Sequence, residues 1–209
     1  MSVDTAGSEV RTEAPAAPVG NPALLGLITF LPSGVTLGLW FVGYLDTAKF
    51  AGGMIPIVSI SAGLFLLVAA IWAGRLAQNT VAAIFGVFSA FWMSFGFLLI
   101  GLTSGWWAVD GDASGQVRST YLLSFLLVFV LLTLSTLRLP LMFTVGFVLV
   151  DITFALAFFG VSTSSAGLFP IAGVTTFLFC LVFAYILFDG INQDLGGRAM
   201  PMGSPMVRS

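Results

Sequence analysis

Long apolar runs, separated by short polar or glycine-rich breaks, dominate the chain from residue 21 to residue 189. A helix that crosses the bilayer core of about 30 Å needs roughly 20 apolar residues. Charges and clusters of Gly, Pro or Ser divide the region into six runs of this length. The pattern predicts an all-α polytopic membrane protein with transmembrane helices at about 22–44, 54–74, 80–102, 119–137, 139–161 and 167–188.

Both ends of the chain are more polar than the part between them. Asn21-Pro22 predicts the start of the first helix, because Asn is a strong N-cap and Pro fits the first helical turn. Residues 1–20 combine prolines and acidic residues with no apolar segment, so we expect a disordered cytoplasmic tail and no signal peptide. A six-helix transmembrane domain at 21–190 and a cytoplasmic C-terminal tail at 191–209 complete the expected organisation.

The distribution of positive charge predicts the orientation in the membrane. With six spans, both termini lie on one side, and five cationic residues fall on that side against two on the other. Cytoplasmic segments carry the excess of Lys and Arg. We therefore expect a multi-pass protein of the cell (inner) membrane with both termini in the cytoplasm. The five are Arg11, Arg75, Arg138, Arg198 and Arg208, and the two are Lys49 and Arg118.

The composition excludes several classes of function. Apolar residues make up 58% of the chain and charged residues 8%, against roughly 25% charged residues in a soluble domain. There is no histidine and only one cysteine, Cys180, so we expect no metal, no cofactor and no disulfide. The absence of a Lys/Arg cluster argues against a nucleic-acid partner. An enzyme is the poorest fit, since no nucleophile–base pair is present.

Asp151 is the one ionisable residue expected near mid-membrane, ~16 Å along its helix from Pro140 at 1.5 Å per residue. A charge at this depth costs about 2.5–3.5 kcal/mol on insertion scales. Asp151 should therefore line a polar cavity, where it is a candidate proton carrier, or bond to a hydroxyl on another helix. Ser33, Thr36 and Ser89 are the hydroxyl partners considered.

The first helix contains Pro32 about halfway across the membrane. Proline removes a backbone hydrogen bond and clashes with the preceding turn, so a kink is expected there. Semi-polar residues follow helical spacing on this helix and form one stripe: Thr29, Ser33, Thr36, Trp40 and Tyr44. From the residues alone, this stripe fits a pore lining and a packing seam with satisfied hydroxyls equally well.

Small residues at four-residue spacing allow helices to approach closely in lipid. Three such pairs occur, Gly34/Gly38, Ala70/Gly74 and Gly86/Ala90. Helix packing is the favoured interpretation of each.

Several motifs connect the chain to a known family. Asn21 to Leu27 resembles the signature Asn-Pro-Ala-Pro-Leu-Gly-Leu of the acetate uptake transporter family, small six-helix permeases for acetate and succinate in microbes. Further stretches match the family in order along the chain. They are Asn79-Thr80, Phe88 to Ser94, Thr136-Leu137-Arg138, Phe154-Ala155-Leu156, Tyr185 to Arg198, and Met200 to Gly203.

This resemblance implies a ring-shaped homohexamer in which each protomer has its own pore. It also implies a pore constriction at Phe30, Phe88 and Val150. The substrate pathway that it implies is formed by Asn21, Thr29, Ser33, Thr36, Ser89 and Trp92. The chain departs from the family pattern at Leu24, where the signature has proline, at Phe88, where a tyrosine is usual, and at Gly74, where an acidic residue is common.

Three functions remain possible from the sequence. The favoured one is a membrane permease or channel for acetate and similar short carboxylates, which pass with a proton or as the neutral acid. No Arg or Lys lies within a predicted span to hold an anion, so binding should be weak. The alternatives are a pore for a small neutral solute such as urea, a short amide or ammonia, and a non-transporting membrane scaffold. Membrane lipid is a partner in every case.

Overall fold

A computed structural model describes residues 20–45 and 52–207 of the protein. Within these ranges, six helices are long and apolar enough to cross a membrane, which confirms the six predicted spans. They are α1 (Pro22–Phe41), α2 (Ile57–Arg75), α3 (Asn79–Ser104), α4 (Ser114–Thr136), α5 (Leu141–Ser162) and α6 (Leu168–Asp194). The predicted N-terminal tail lies almost wholly outside the described residues.

Local sequence signals explain where several helices begin and end. The Asn21 side chain accepts a hydrogen bond of 3.1 Å from the N–H of Ala23 and so caps α1, with Pro22 in the first turn. Helix α3 ends at Gly105, which adopts the left-handed conformation at φ +69°. Gly196, at φ +83°, follows the end of α6 in the same way. Helix α6 ends at Asp194, about two turns beyond the end at residue 188 that its apolar run predicts.

The first half of α2, Ile57–Leu64, is a π-helix, which the sequence pattern did not predict. Hydroxyl groups from the two neighbouring helices bond to carbonyl groups of this segment. Ser33 on α1 donates to the Ile57 carbonyl at 3.0 Å, and Ser89 on α3 donates to the Gly63 carbonyl at 2.7 Å. In return, Ser61 donates to the Thr29 carbonyl at 2.8 Å. These bonds fix the wider helix between α1 and α3.

The helices follow one another around a closed ring, in which α6 packs against α1. Glycines permit the close approaches. A Cβ atom on Gly34 would lie 2.7 Å from the sulfur of Cys180, so α1 and α6 meet there without room for a side chain. Between α2 and α3, a Cβ atom on Gly63 would lie 2.7 Å from the Cγ of Met93. By contrast, α3 and α4 approach one another mainly through large aromatic side chains.

The segment that follows α6 folds back across one end of the bundle. The buried carboxylate of Asp189 accepts a hydrogen bond of 2.7 Å from the N–H of Met200. The Met202 carbonyl accepts one of 3.0 Å from the N–H of Met142, in the first turn of α5. The Val207 N–H donates to the Leu137 carbonyl at 3.0 Å. The predicted C-terminal tail therefore ties the end of α6 to the turn between α4 and α5.

Candidate permeation pathway

Besides a cavity of about 310 Å³ between α3 and α4, the described residues form two cavities that lie at opposite ends of the bundle and share the aromatic core between them. The larger, of about 650 Å³, includes Leu45 beyond α1, Arg118 near the start of α4 and Phe169 near the start of α6. The smaller, of about 250 Å³, includes Ala23 at the start of α1 and Thr80 at the start of α3. Because the helices alternate in direction, these positions mark opposite faces of the membrane domain. We call them the large and the small cavity.

Phe30 lies at the centre of the aromatic cluster that separates the cavities. Its ring contacts Phe88 edge-on, with centroids 5.4 Å apart, and Trp92 at 6.1 Å. From α6, Phe179 and Phe183 contact the same ring at 5.9 Å and 5.5 Å. All five side chains are buried. The space between the cavities is therefore filled by aromatic rings.

Helical spacing places the predicted constriction at the level of this cluster. On α5, Phe147 lines the small cavity and Phe154 the large one, and Val150 lies between them with 1% of its surface exposed. On α3, Phe88 lines the small cavity and Phe91 the large one. The structure thus brings Phe30 and Phe88 into contact and buries Val150 in the same hydrophobic core.

The hydroxyl residues Thr29, Ser33 and Thr36 of the predicted polar stripe of α1 line neither cavity. Thr29 and Thr36 donate to carbonyl groups one turn earlier in their own helix, those of Leu25 and Pro32, both at 2.8 Å. Ser33, like Ser89 on α3, bonds to the π-helical segment of α2. These hydroxyl groups are therefore satisfied within and between α1, α2 and α3. Of the stripe, only Trp40 lines the large cavity.

The cavities are also lined by polar residues that the sequence did not indicate as site residues. Thr80 lies in the wall of the small cavity, and Arg118, Tyr121 and Thr153 lie in the wall of the large one. From the sequence, Arg118 was used only as a positive charge outside the predicted spans, and its place in a cavity wall was not predicted. Tyr121 donates to the Phe91 carbonyl at 2.7 Å, which joins α4 to α3 beside the large cavity.

Asp151 faces α4 and lines neither cavity. The Thr133 hydroxyl donates to its Oδ2 at 2.6 Å, while its Oδ1 is buried without a hydrogen-bond partner. The hydroxyl partner is therefore on α4 and is none of those considered from the sequence. The reason is geometric: consecutive helical residues point about 100° apart, so Asp151 turns away from the core that Val150 faces.

Six apolar helices that are long enough to cross a membrane define a multi-pass helical membrane protein in the described part of the chain. The chain belongs to the GPR1/FUN34/yaaH family, whose model matches residues 6–196. This confirms the resemblance to the acetate uptake transporters and excludes the enzyme class. A search of curated proteins found no significant match. Among solved structures, the bacterial acetate channel SatP has the same fold, with a TM-score of 0.79 and 20% identity over 89% of this chain and 100% of that one.

Proposed function

We propose that the protein is a membrane permease or channel for acetate and similar short carboxylates. The observation that carries the proposal is the pair of opposed cavities in a member of this family, with Phe30 and Phe88 in contact between them. The resemblance in fold to a bacterial acetate channel supports it. In this account Phe30, Phe88 and Val150 form the constriction, and Trp92 lies on the pathway.

The chemistry of the barrier favours passage of the neutral acid or of an anion together with a proton. An isolated carboxylate loses far more solvation energy in an apolar site than a protonated acid does. The side chains around Phe30 are aromatic and carry no charge. Asp151 is the proton-linked candidate, and it would act through the packing of α5 against α4, where Thr133 holds it.

The remaining features of this proposal concern orientation, helix shape and assembly. In this proposal both termini are cytoplasmic in the cell (inner) membrane, as the Lys and Arg distribution predicts, so that the small cavity faces the cytoplasm and the large one opens outward. Pro32 bends α1 beside the constriction. The protomers form a ring-shaped homohexamer in which each has its own pore, as the family resemblance implies.

A neutral solute such as urea or ammonia is the second candidate. The uncharged aromatic cluster between the cavities favours it, because such a barrier requires no charge compensation for a neutral molecule. An ionised Asp151 would also repel carboxylates, although it lies off both cavities. Substrate selectivity separates this function from acetate transport.

Uptake by the purified protein in proteoliposomes tests the proposal. We expect labelled acetate to enter faster than through empty liposomes, and faster at acidic than at alkaline pH, because the neutral acid is then more abundant. Succinate and urea, added at the same concentration, provide the comparison. Uptake of urea without acetate would establish the second candidate instead, and no uptake of any of the three would leave a membrane scaffold.

A further inference from the structure

Trp92 occupies the division between the two cavities. On α3 it lies one turn after Phe88, which lines the small cavity, and one turn before Phe95, which lines the large one. Its indole ring packs edge-on against Phe30 and against Phe91, with centroid distances of 6.1 Å and 4.9 Å. A solute that moves between the cavities through the aromatic cluster must therefore pass close to this ring.

The indole N–H of Trp92 is buried and has no hydrogen-bond acceptor. Among the buried side-chain nitrogen and oxygen atoms of the described residues, only Oδ1 of Asp151 shares this state. Nearby polar groups are satisfied: Ser89 bonds to the Gly63 carbonyl, and Tyr121 to the Phe91 carbonyl. An unsatisfied buried donor is costly, and phenylalanine would fill an aromatic site without that cost. The described residues around this N–H supply no acceptor, so a solute that reaches it can provide one.

We propose that the Trp92 N–H donates a hydrogen bond to the carboxyl group of the permeating acid as it crosses the aromatic barrier. This inference rests on the proposed transport of short carboxylates and assigns a donor to the constriction itself. The indole can only donate, so the solute must present an acceptor oxygen, as a carboxyl group does. Among the buried side-chain nitrogen and oxygen atoms of the described residues, the Trp92 N–H is the only donor without a partner.

The burial of this N–H also predicts which step it affects. Because the atom is closed off from both cavities, an acid can reach it only when a ring such as Phe30 or Phe88 moves aside. The hydrogen bond then forms while the acid crosses the aromatic cluster, and not while the acid waits in one of the cavities. An interaction made only at the barrier raises the maximal rate and leaves the half-saturating concentration nearly unchanged.

The test is acetate uptake by Trp92→Phe, which keeps an aromatic ring and removes the donor. We expect the maximal rate to fall about tenfold, equivalent to ~1.4 kcal/mol, with little change in half-saturation. The melting temperature should fall somewhat, since the smaller ring leaves a cavity where part of the buried indole was. Trp72→Phe, on the exposed surface of α2, is the matched control and should transport like the wild type.

Benzothienylalanine at position 92 has nearly the shape of tryptophan without its N–H and separates the lost donor from lost packing. It should reproduce the slower rate of Trp92→Phe. Wild-type rates in this isostere would overturn the inference while leaving acetate transport intact. A wild type that carries no acetate would overturn the proposed function as well, so the two failures are distinguishable.

Discussion

Replacing Phe88 with alanine will raise the flux of lactate and succinate relative to acetate by about tenfold, a change of ~1.4 kcal/mol in relative barrier height. Phe88 contacts Phe30 edge-on and stacks on Phe129 of α4 with centroids 4.7 Å apart. Removal of the ring joins its space to the small cavity, whose wall it forms. Apolar constrictions exclude solutes by size and by dewetting, so a wider one admits water and bulkier acids. Flux ratios in proteoliposomes measure the effect.

The control for this prediction must lose a similar ring elsewhere in the bundle. Phe177 on α6 packs against Gly38 of α1 and lines neither cavity. Phe177→Ala should lower stability without changing the ratio of lactate to acetate, whereas Phe30→Ala should change the ratio as Phe88→Ala does. If all three variants kept the wild-type selectivity, Phe30 and Phe88 would have a packing role only.

Replacing Asp151 with asparagine will flatten the pH dependence of transport. The substitution mimics the neutral acid and keeps an acceptor for the Thr133 hydroxyl, which bonds to Asp151 at 2.6 Å. The second carboxylate oxygen is buried and unpartnered, so we expect its protonation to alter how α5 packs against α4. We expect the transport rates of the variant at acidic and alkaline pH to differ by less than about twofold, once they are corrected for the pH-dependent concentration of the neutral acid.

Two further variants sharpen this experiment. Thr133→Val removes the hydrogen bond and keeps the carboxylate, so the pH profile should shift without becoming flat. Asp189→Asn changes another buried carboxylate, which holds the Met200 N–H at the end of the bundle, and should keep the wild-type profile. A wild-type profile in Asp151→Asn would remove Asp151 from the mechanism.

The membrane fold could be predicted because each span is a long apolar run with recognisable ends. Asn21-Pro22 begins α1 as expected, and α1 meets α6 at Gly34 without room for a side chain. The π-helix in α2 has no comparable signal, because its carbonyls bond to Ser33 and Ser89 on other helices. The position of the C-terminal segment could not be predicted either, because it is fixed by hydrogen bonds to Leu137 and Met142, which lie far away in the chain.

The candidate site was predictable only in part. The family resemblance places Phe30, Phe88 and Val150 at comparable depth, and all three are buried in the same hydrophobic core. Which hydroxyl bonds to Asp151, and whether the Trp92 N–H has an acceptor, depend on how the helices are rotated in the bundle. Periodicity within one helix does not determine that rotation when its apolar residues surround it on every side.

The most direct test of the central claim, that the two cavities are the ends of one permeation path, is thiol modification from either side of the membrane. Ala157 lies in the wall of the large cavity and Ala23 in that of the small one. Each is replaced by cysteine in a Cys180→Ala background, with Ala90→Cys on the exposed surface of α3 as the control. Acetate uptake is then measured in right-side-out and inverted membrane vesicles treated with an impermeant methanethiosulfonate. The account predicts that the external reagent blocks only Ala157→Cys, the cytoplasmic reagent blocks only Ala23→Cys, and Ala90→Cys is never inhibited. Full modification of both cavity positions with undiminished acetate uptake would contradict it.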